Sequence, residues 1–205
     1  MHDQRAIFNV EGTQNPATIS FLAPSEDIER TVTPGRKETM SVIVAMNNLL
    51  QQIIPNQVGR YTDEFYPTAT GDNFQKLRHN TILIEAGHYK DDYERDITRK
   101  YNFYALLQGL YFIADEKNYL NYEPYYDIPN NDNKFLDIIY KNVKITENKS
   151  IQIVVIGIQL KFKVIANKLV MYKHLEKVGN LSDYYSYNYI NAENLDIKEI
   201  ELSNS

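Results

Sequence analysis

The chain contains neither cysteine nor tryptophan in 205 residues. Without cysteine there are no disulfides, no thiolate metal ligands and no cysteine nucleophile, and the redox compartment stays open. Long apolar runs are missing too: nothing approaches the roughly 20 residues that cross a bilayer. The start, "MHDQRAIFNV", lacks the basic head and apolar core of a signal peptide. The chain as written is therefore expected in the cytoplasm, with no membrane partner. Basic blocks are absent as well. The 22 basic residues are outnumbered by 27 acidic ones, and none of their runs exceeds a dipeptide. A surface that tracks phosphates is not expected, and neither is a nucleic-acid partner.

What is present fits an ordinary globular protein. The length suits one domain plus a small appendage, burying roughly 70% of the unfolded surface. Tyrosine is plentiful, 17 against 8 phenylalanines, concentrated at 89–140 and in "DYYSYNY", residues 183–189. Half-buried strand surfaces that keep their hydroxyls wet account for such a bias more simply than base or sugar stacking does.

The periodicity predicts α/β organisation followed by β. Residues 5–10 and 17–22 read as strands around the turn-rich "EGTQNP". A helix is predicted over 34–53. Thr33 serves as its N-cap, Pro34 stands at the first helical position, and Met40, Ile43, Val44, Leu50 and Ile53 form its apolar face. Pro55 ends it. Residues 56–79, with "ATGDNF", read as a long loop, and 81–85 as a buried strand. A second helix is expected to run to about residue 114. Asp91 or Asp92 caps it, and Tyr93, Ile97, Tyr101, Tyr104, Leu107 and Leu110 form its core stripe. The Pro/Asn-rich "YEPYYDIPNNDNK" then separates two parts. The expected division is a catalytic-type domain over 1–121, a linker over 122–134 and a β-rich appendage over 135–205. That appendage should open with a short helix at 135–141 and be an antiparallel sheet, with "ANK" as a hairpin turn.

Five residues stand out for chemistry: Glu85, His88, His2, His79 and Asp72. Glu85 ends the apolar strand 81–85 and is followed by Ala86 and Gly87, too small to cover a carboxylate. An acid there has either reached water or is presented to a substrate. His88 follows three residues later, a spacing that does not aim two side chains at one point when it leaves a strand. His79 and His174 sit in polar, turn-like or hairpin contexts and read as surface histidines. The terminal "HDQ" reads by itself as a frayed end. Spacing alone gives a soluble α/β domain with an acid framed by loops.

The run "TILIEAGHYKDDYERDITRKYNFYALLQGL" resembles the C-terminal segment of zinc metallocarboxypeptidases of the carboxypeptidase A type. It especially resembles a branch that reads "EAGH" at this strand end. The likeness extends back through "GDNFQ", "IPNQVGRY" and the helix 34–53 to "HDQRAIF", so that residues 2–114 are covered by four short motifs in order. It implies a mixed-sheet carboxypeptidase-like α/β fold. Glu85 would be the catalytic glutamate, His2 the third zinc ligand and Tyr66 a substrate-contacting loop residue. Zinc would be the cofactor, polarising the scissile carbonyl of a peptide C-terminus and lowering the pKa of its water towards ~7. Glu85 would accept that proton and pass it to the leaving amine.

The pattern also departs from the family. Its zinc is held by an H-x-x-E pair and a later His. No H-x-x-E occurs here, since none of His2, His79, His88 and His174 has Glu three residues on. The substrate-carboxylate arginines belong, like that pair, to an N-terminal half this sequence lacks. The expectation is the C-terminal half of such a hydrolase, truncated and inactive by itself, able to be complemented by the missing half. Two alternatives remain. One is a non-catalytic remnant or interaction module. The other is a deacylase relative acting on N-acyl amino acids.

Overall fold

A computed structural model describes residues 2–3, 7–115, 119, 121–147, 150–193 and 195–202. It divides the chain into two compact units, Met1–Asn133 and Lys134–Ser205. The segment 122–133, expected as linker, belongs to the first unit.

The first unit is built on a four-stranded mixed sheet. Its strands are β1 (His2–Asp3), β3 (Ile19–Leu22), β4 (Val58–Arg60) and β5 (Leu83–Ala86), in the order β1-β5-β3-β4. β1 runs parallel to β5, β3 antiparallel to β5, and β4 parallel to β3. Two further short strands, β2 (Asn9–Val10) and β6 (Asn131–Asp132), pair with each other. The strand expected over 5–10 is thus only Asn9–Val10, and residues 5 and 6 lie outside the described residues.

Helix α1, Pro34–Ile53, has the predicted bounds and cap: the Thr33 hydroxyl accepts from the Arg36 amide at 3.3 Å. Met40, Ile43, Val44 and Leu50 are buried in its apolar face. The last contact is made by Ile54 and not by the expected Ile53, which lies on the solvent side. The "loop" 56–79 contains β4 and a short helix, α2, Thr70–Lys76. These elements are too short for periodicity to register.

Helix α3, Asp96–Asp115, forms where expected, and Tyr101 of the expected stripe packs against the core, but the fully buried line is a different one. Its buried residues are Thr98, Asn102, Ala105 and Gly109, spaced by four, three and four. Leu107 and Leu110 of the expected stripe are 54% and 64% exposed. Close approach to α1 explains the choice. A Cβ built on Gly109 would lie 2.2 Å from the Met46 Cε, so the two axes meet across small residues and leave the large ones outside. The Asp92 carboxylate caps α3, accepting from the Ile97 amide at 3.1 Å and from the Thr98 amide and hydroxyl at 2.8 and 2.9 Å. Burial pushes this carboxyl's pKa up, but those donors outweigh it and leave the group below its ordinary range.

Strand alternation sorts the sheet into two faces. Ile19, Phe21, Val58 and Ile84 share one face and form a core with α1 and with Ala105 of α3. Tyr125, in a 3₁₀ turn at Glu123–Asp127, joins the same core, which is why 122–133 is part of this unit. Ser20, Gly59 and Glu85 fall on the opposite face.

The second unit is a sheet of β7 (Phe135–Glu147), β8 (Ser150–Ile165), β9 (Lys168–Val178) and β10 (Tyr185–Asn191), with helix α4 (Ile197–Leu202). The order is β10-β7-β8-β9. β7, β8 and β9 are antiparallel, but β10 pairs parallel to β7 from Tyr185–Phe135 to Asn191–Lys141. The expected antiparallel appendage is therefore mixed, and the helix expected at 135–141 is strand. Its apolar residues lie in a continuous β ladder, where pairing overrides a short helical pattern. The "ANK" turn forms as read: Ala166 and Asn167 both have positive φ, 47° and 62°, as a two-residue hairpin of the primed type requires.

Candidate functional site

The register places the sequence-derived residues as follows. His2 of β1 pairs directly with Glu85 of β5, and Glu85 pairs on its other side with Ser20 of β3. Ser20 in turn pairs with Gly59 of β4. One row across the sheet thus reads His2, Glu85, Ser20, Gly59, with neighbouring backbones about 4.8 Å apart. Glu85 sits on an interior strand, half-buried, on the face that α1 and α3 leave uncovered.

The floor beside Glu85 is small and polar. The buried Ser20 hydroxyl donates to the Asn131 Oδ1 at 3.1 Å. That amide lies over Gly59, where an added Cβ would come within 1.9 Å of the same oxygen. The Thr18 hydroxyl is 2.8 Å from the His88 carbonyl and 2.9 Å from the Gln57 Oε1. Asn131 and Thr18 were missed in the sequence. "NNDN" reads only as a turn, and the contact between Ser20 and Asn131 spans 111 positions.

The strand's exit is braced. Arg95, itself buried, donates through a terminal nitrogen to the Ala86 carbonyl. The Gly87 amide donates to the Thr18 carbonyl at 2.9 Å. Gly87 does not leave room for a substrate, as its size alone implied. A Cβ there would stand 2.2 Å from the Ala17 carbonyl oxygen, so glycine is required for β5 to pass β3 closely. Gly87→Ala is expected to lower stability by about 1–3 kcal/mol, the usual cost of overpacking against backbone that cannot turn aside. Urea unfolding would check this, and a midpoint equal to that of the parent protein would contradict the close approach.

Tyr66 is presented differently. It is half exposed on the segment between β4 and α2, with its hydroxyl 2.9 Å from the Glu64 Oε2 and its amide donating to the Asp72 Oδ2 at 2.7 Å. The bond to Glu64 raises its phenolic pKa. Glu64, Asp72 and Arg30 are the charged groups that act on it. Asp72 thus positions the loop backbone. His88 is buried, and the ring of His79 stands edge-on to Phe74 at 5.9 Å. His174, on β9, is 3.6 Å from the Glu176 carboxylate.

Among the described residues no group of three or more His, Asp or Glu side chains is placed to hold a metal ion. Among the same residues, no helix is long and apolar enough to cross a membrane. No protein-family model, no curated protein and no solved structure matches this chain.

Proposed function

We propose that this chain carries the C-terminal part of a zinc carboxypeptidase-like hydrolytic site, with Glu85 as general base and His2 as a metal ligand. The observation that carries the reading is the register of His2 against Glu85. Two residues 83 positions apart, each singled out by its motif, occupy adjacent positions on neighbouring strands. A base and a ligand that act on one water must sit that close, on elements that do not move. Glu85 gains rigidity from pairing on both sides and from the Arg95 bond just beyond it. Tyr66, on a loop tied down by Asp72, would contact substrate.

The remaining ligands, an H-x-x-E pair, would come from outside these 205 residues. Two features suit a complementing half. β1 is an edge strand of the sheet, and α3 exposes Phe103, Leu106, Leu107, Leu110 and Tyr111 on one side. The same features favour a second reading, a non-catalytic module that docks a partner there.

Co-expression with an N-terminal half that carries H-x-x-E tests the proposal. Release of C-terminal residues from unblocked peptides is expected, with none from peptides amidated at the C-terminus. Turnover confined to N-acyl amino acids would assign the site to deacylation instead. A folded, zinc-loaded complex inert on both substrates would leave the docking module.

A further inference from the structure

At the β4 edge of the first unit lies a cleft of about 560 Å³, lined by Phe8, Arg30, Arg60, Tyr61, Thr62 and Asn130 among others. Its arginines are treated unequally. Arg30 approaches Asp63 and Glu64, both at 3.4 Å, and the buried Arg36 behind them holds the other Asp63 oxygen at 2.5 Å. Arg60 has no such partner among the described residues. Its Nε donates to the Ile128 carbonyl at 3.2 Å, and its guanidinium carbon lies 5.2 and 5.6 Å from the ring centres of Tyr125 and Tyr126. Its backbone amide is fixed to Pro129 at 2.8 Å. The two terminal nitrogens have no hydrogen-bond partner among the described residues.

A guanidinium held at Nε and backed by two rings has lost most of its side-chain freedom before any ligand arrives. Its remaining N–H fork matches a carboxylate in two-point geometry. The nearby acids do not fill that role. Asp63 is committed to Arg30 and Arg36, and Glu11 accepts from the Asn130 amide at 3.2 Å. These same acids select the ligand: a dianionic phosphate would meet their repulsion, whereas a single negative charge is matched by Arg60 alone. The wall is apolar. Phe8 and Tyr61 pack edge to face with centroids 5.8 Å apart. The volume is that of a small-ligand site.

We propose that this cleft binds a small carboxylate with an apolar body, its charge on Arg60 and its body against the Phe8–Tyr61 pair. The inference is independent of the role given to Glu85, which lies two strands away. Titration of the 205-residue chain with benzoate and, in parallel, with the neutral benzamide tests it. Nitrogen-15 NMR would follow the Arg60 Nε–H and the amides of Tyr61, Thr62 and Asn130. Benzoate is expected to give saturable shifts at these groups, with benzamide at least tenfold weaker. Arg60→Gln should bring benzoate down to the benzamide level. Equal affinity for the two ligands, or benzoate shifts absent here or concentrated elsewhere, would overturn the proposal without reference to any variant. A folded Arg60→Gln protein with unchanged benzoate affinity would do the same.

Discussion

Glu85→Gln in the complemented protein is expected to lower kcat by about 10²–10⁴-fold, the usual contribution of a positioned general base. Gln keeps the shape of the side chain and can still hydrogen-bond a water molecule, but it cannot take a proton from it. KM should stay close to its original value, because the interaction removed operates in the transition state and not in substrate binding. The strand itself should be undisturbed. Gln fills the same half-buried place beside the Ser20–Asn131 floor. Steady-state kinetics with circular dichroism on the same samples separates the outcomes. Parental kcat would show that Glu85 is only an acid at the end of a strand, where substitutions usually shift stability by under ~0.5 kcal/mol.

The second large effect concerns the architecture. Arg36 is fully buried in the first turn of α1, donating from Nε to the Ala23 carbonyl at 3.2 Å and from one terminal nitrogen to the Arg30 carbonyl at 2.9 Å. Its charge is balanced by Asp63 at 2.5 Å. A cation at a helix N-terminus also opposes the helix dipole, which makes the carboxylate more necessary. Asp63→Ala should therefore lower stability by about 3–5 kcal/mol, since it strands a buried guanidinium. The double variant Arg36→Met, Asp63→Ala should recover much of that loss, because it removes both charges and fills the space. Urea unfolding of the three proteins gives the coupling. A single variant within ~0.5 kcal/mol of the parent would mean that water or another acid serves Arg36.

Where local chemistry decides structure, the sequence was readable. Thr33 and Pro34 start α1 because a hydroxyl acceptor and a fixed φ are wanted at those two positions, and Asp92 caps α3 for a similar reason. The Ala166–Asn167 turn follows from the two strands it joins. Legibility ended where distant backbone came close. Gly109 and Gly87 look like flexible points in the chain, yet each is small because something else occupies its Cβ position: Met46 in one case, the Ala17 carbonyl in the other. The same contact with α1 leaves Leu107 and Leu110 of the expected stripe exposed, while Tyr101 still packs against the core. Pairing of β10 parallel to β7 is likewise a tertiary choice with no local signal. For the proposed site, Glu85 and His2 were singled out by their motifs and Tyr66 only by the family resemblance; the pairing of His2 with Glu85 appears only in the fold. The Ser20–Asn131 floor was not legible, because it forms only when the "NNDN" turn folds back over β4.

In the proposed site His2 and Glu85 act together, one as metal ligand and the other as base. Zinc content of the complemented complex, measured after gel filtration for the parent, His2→Ala and Glu85→Gln forms, separates the two roles. The prediction is about one zinc per complex in the parent and in Glu85→Gln, and its loss in His2→Ala, since catalytic zinc needs three protein ligands. A His2→Ala complex that keeps its full zinc content and turnover would contradict the claim.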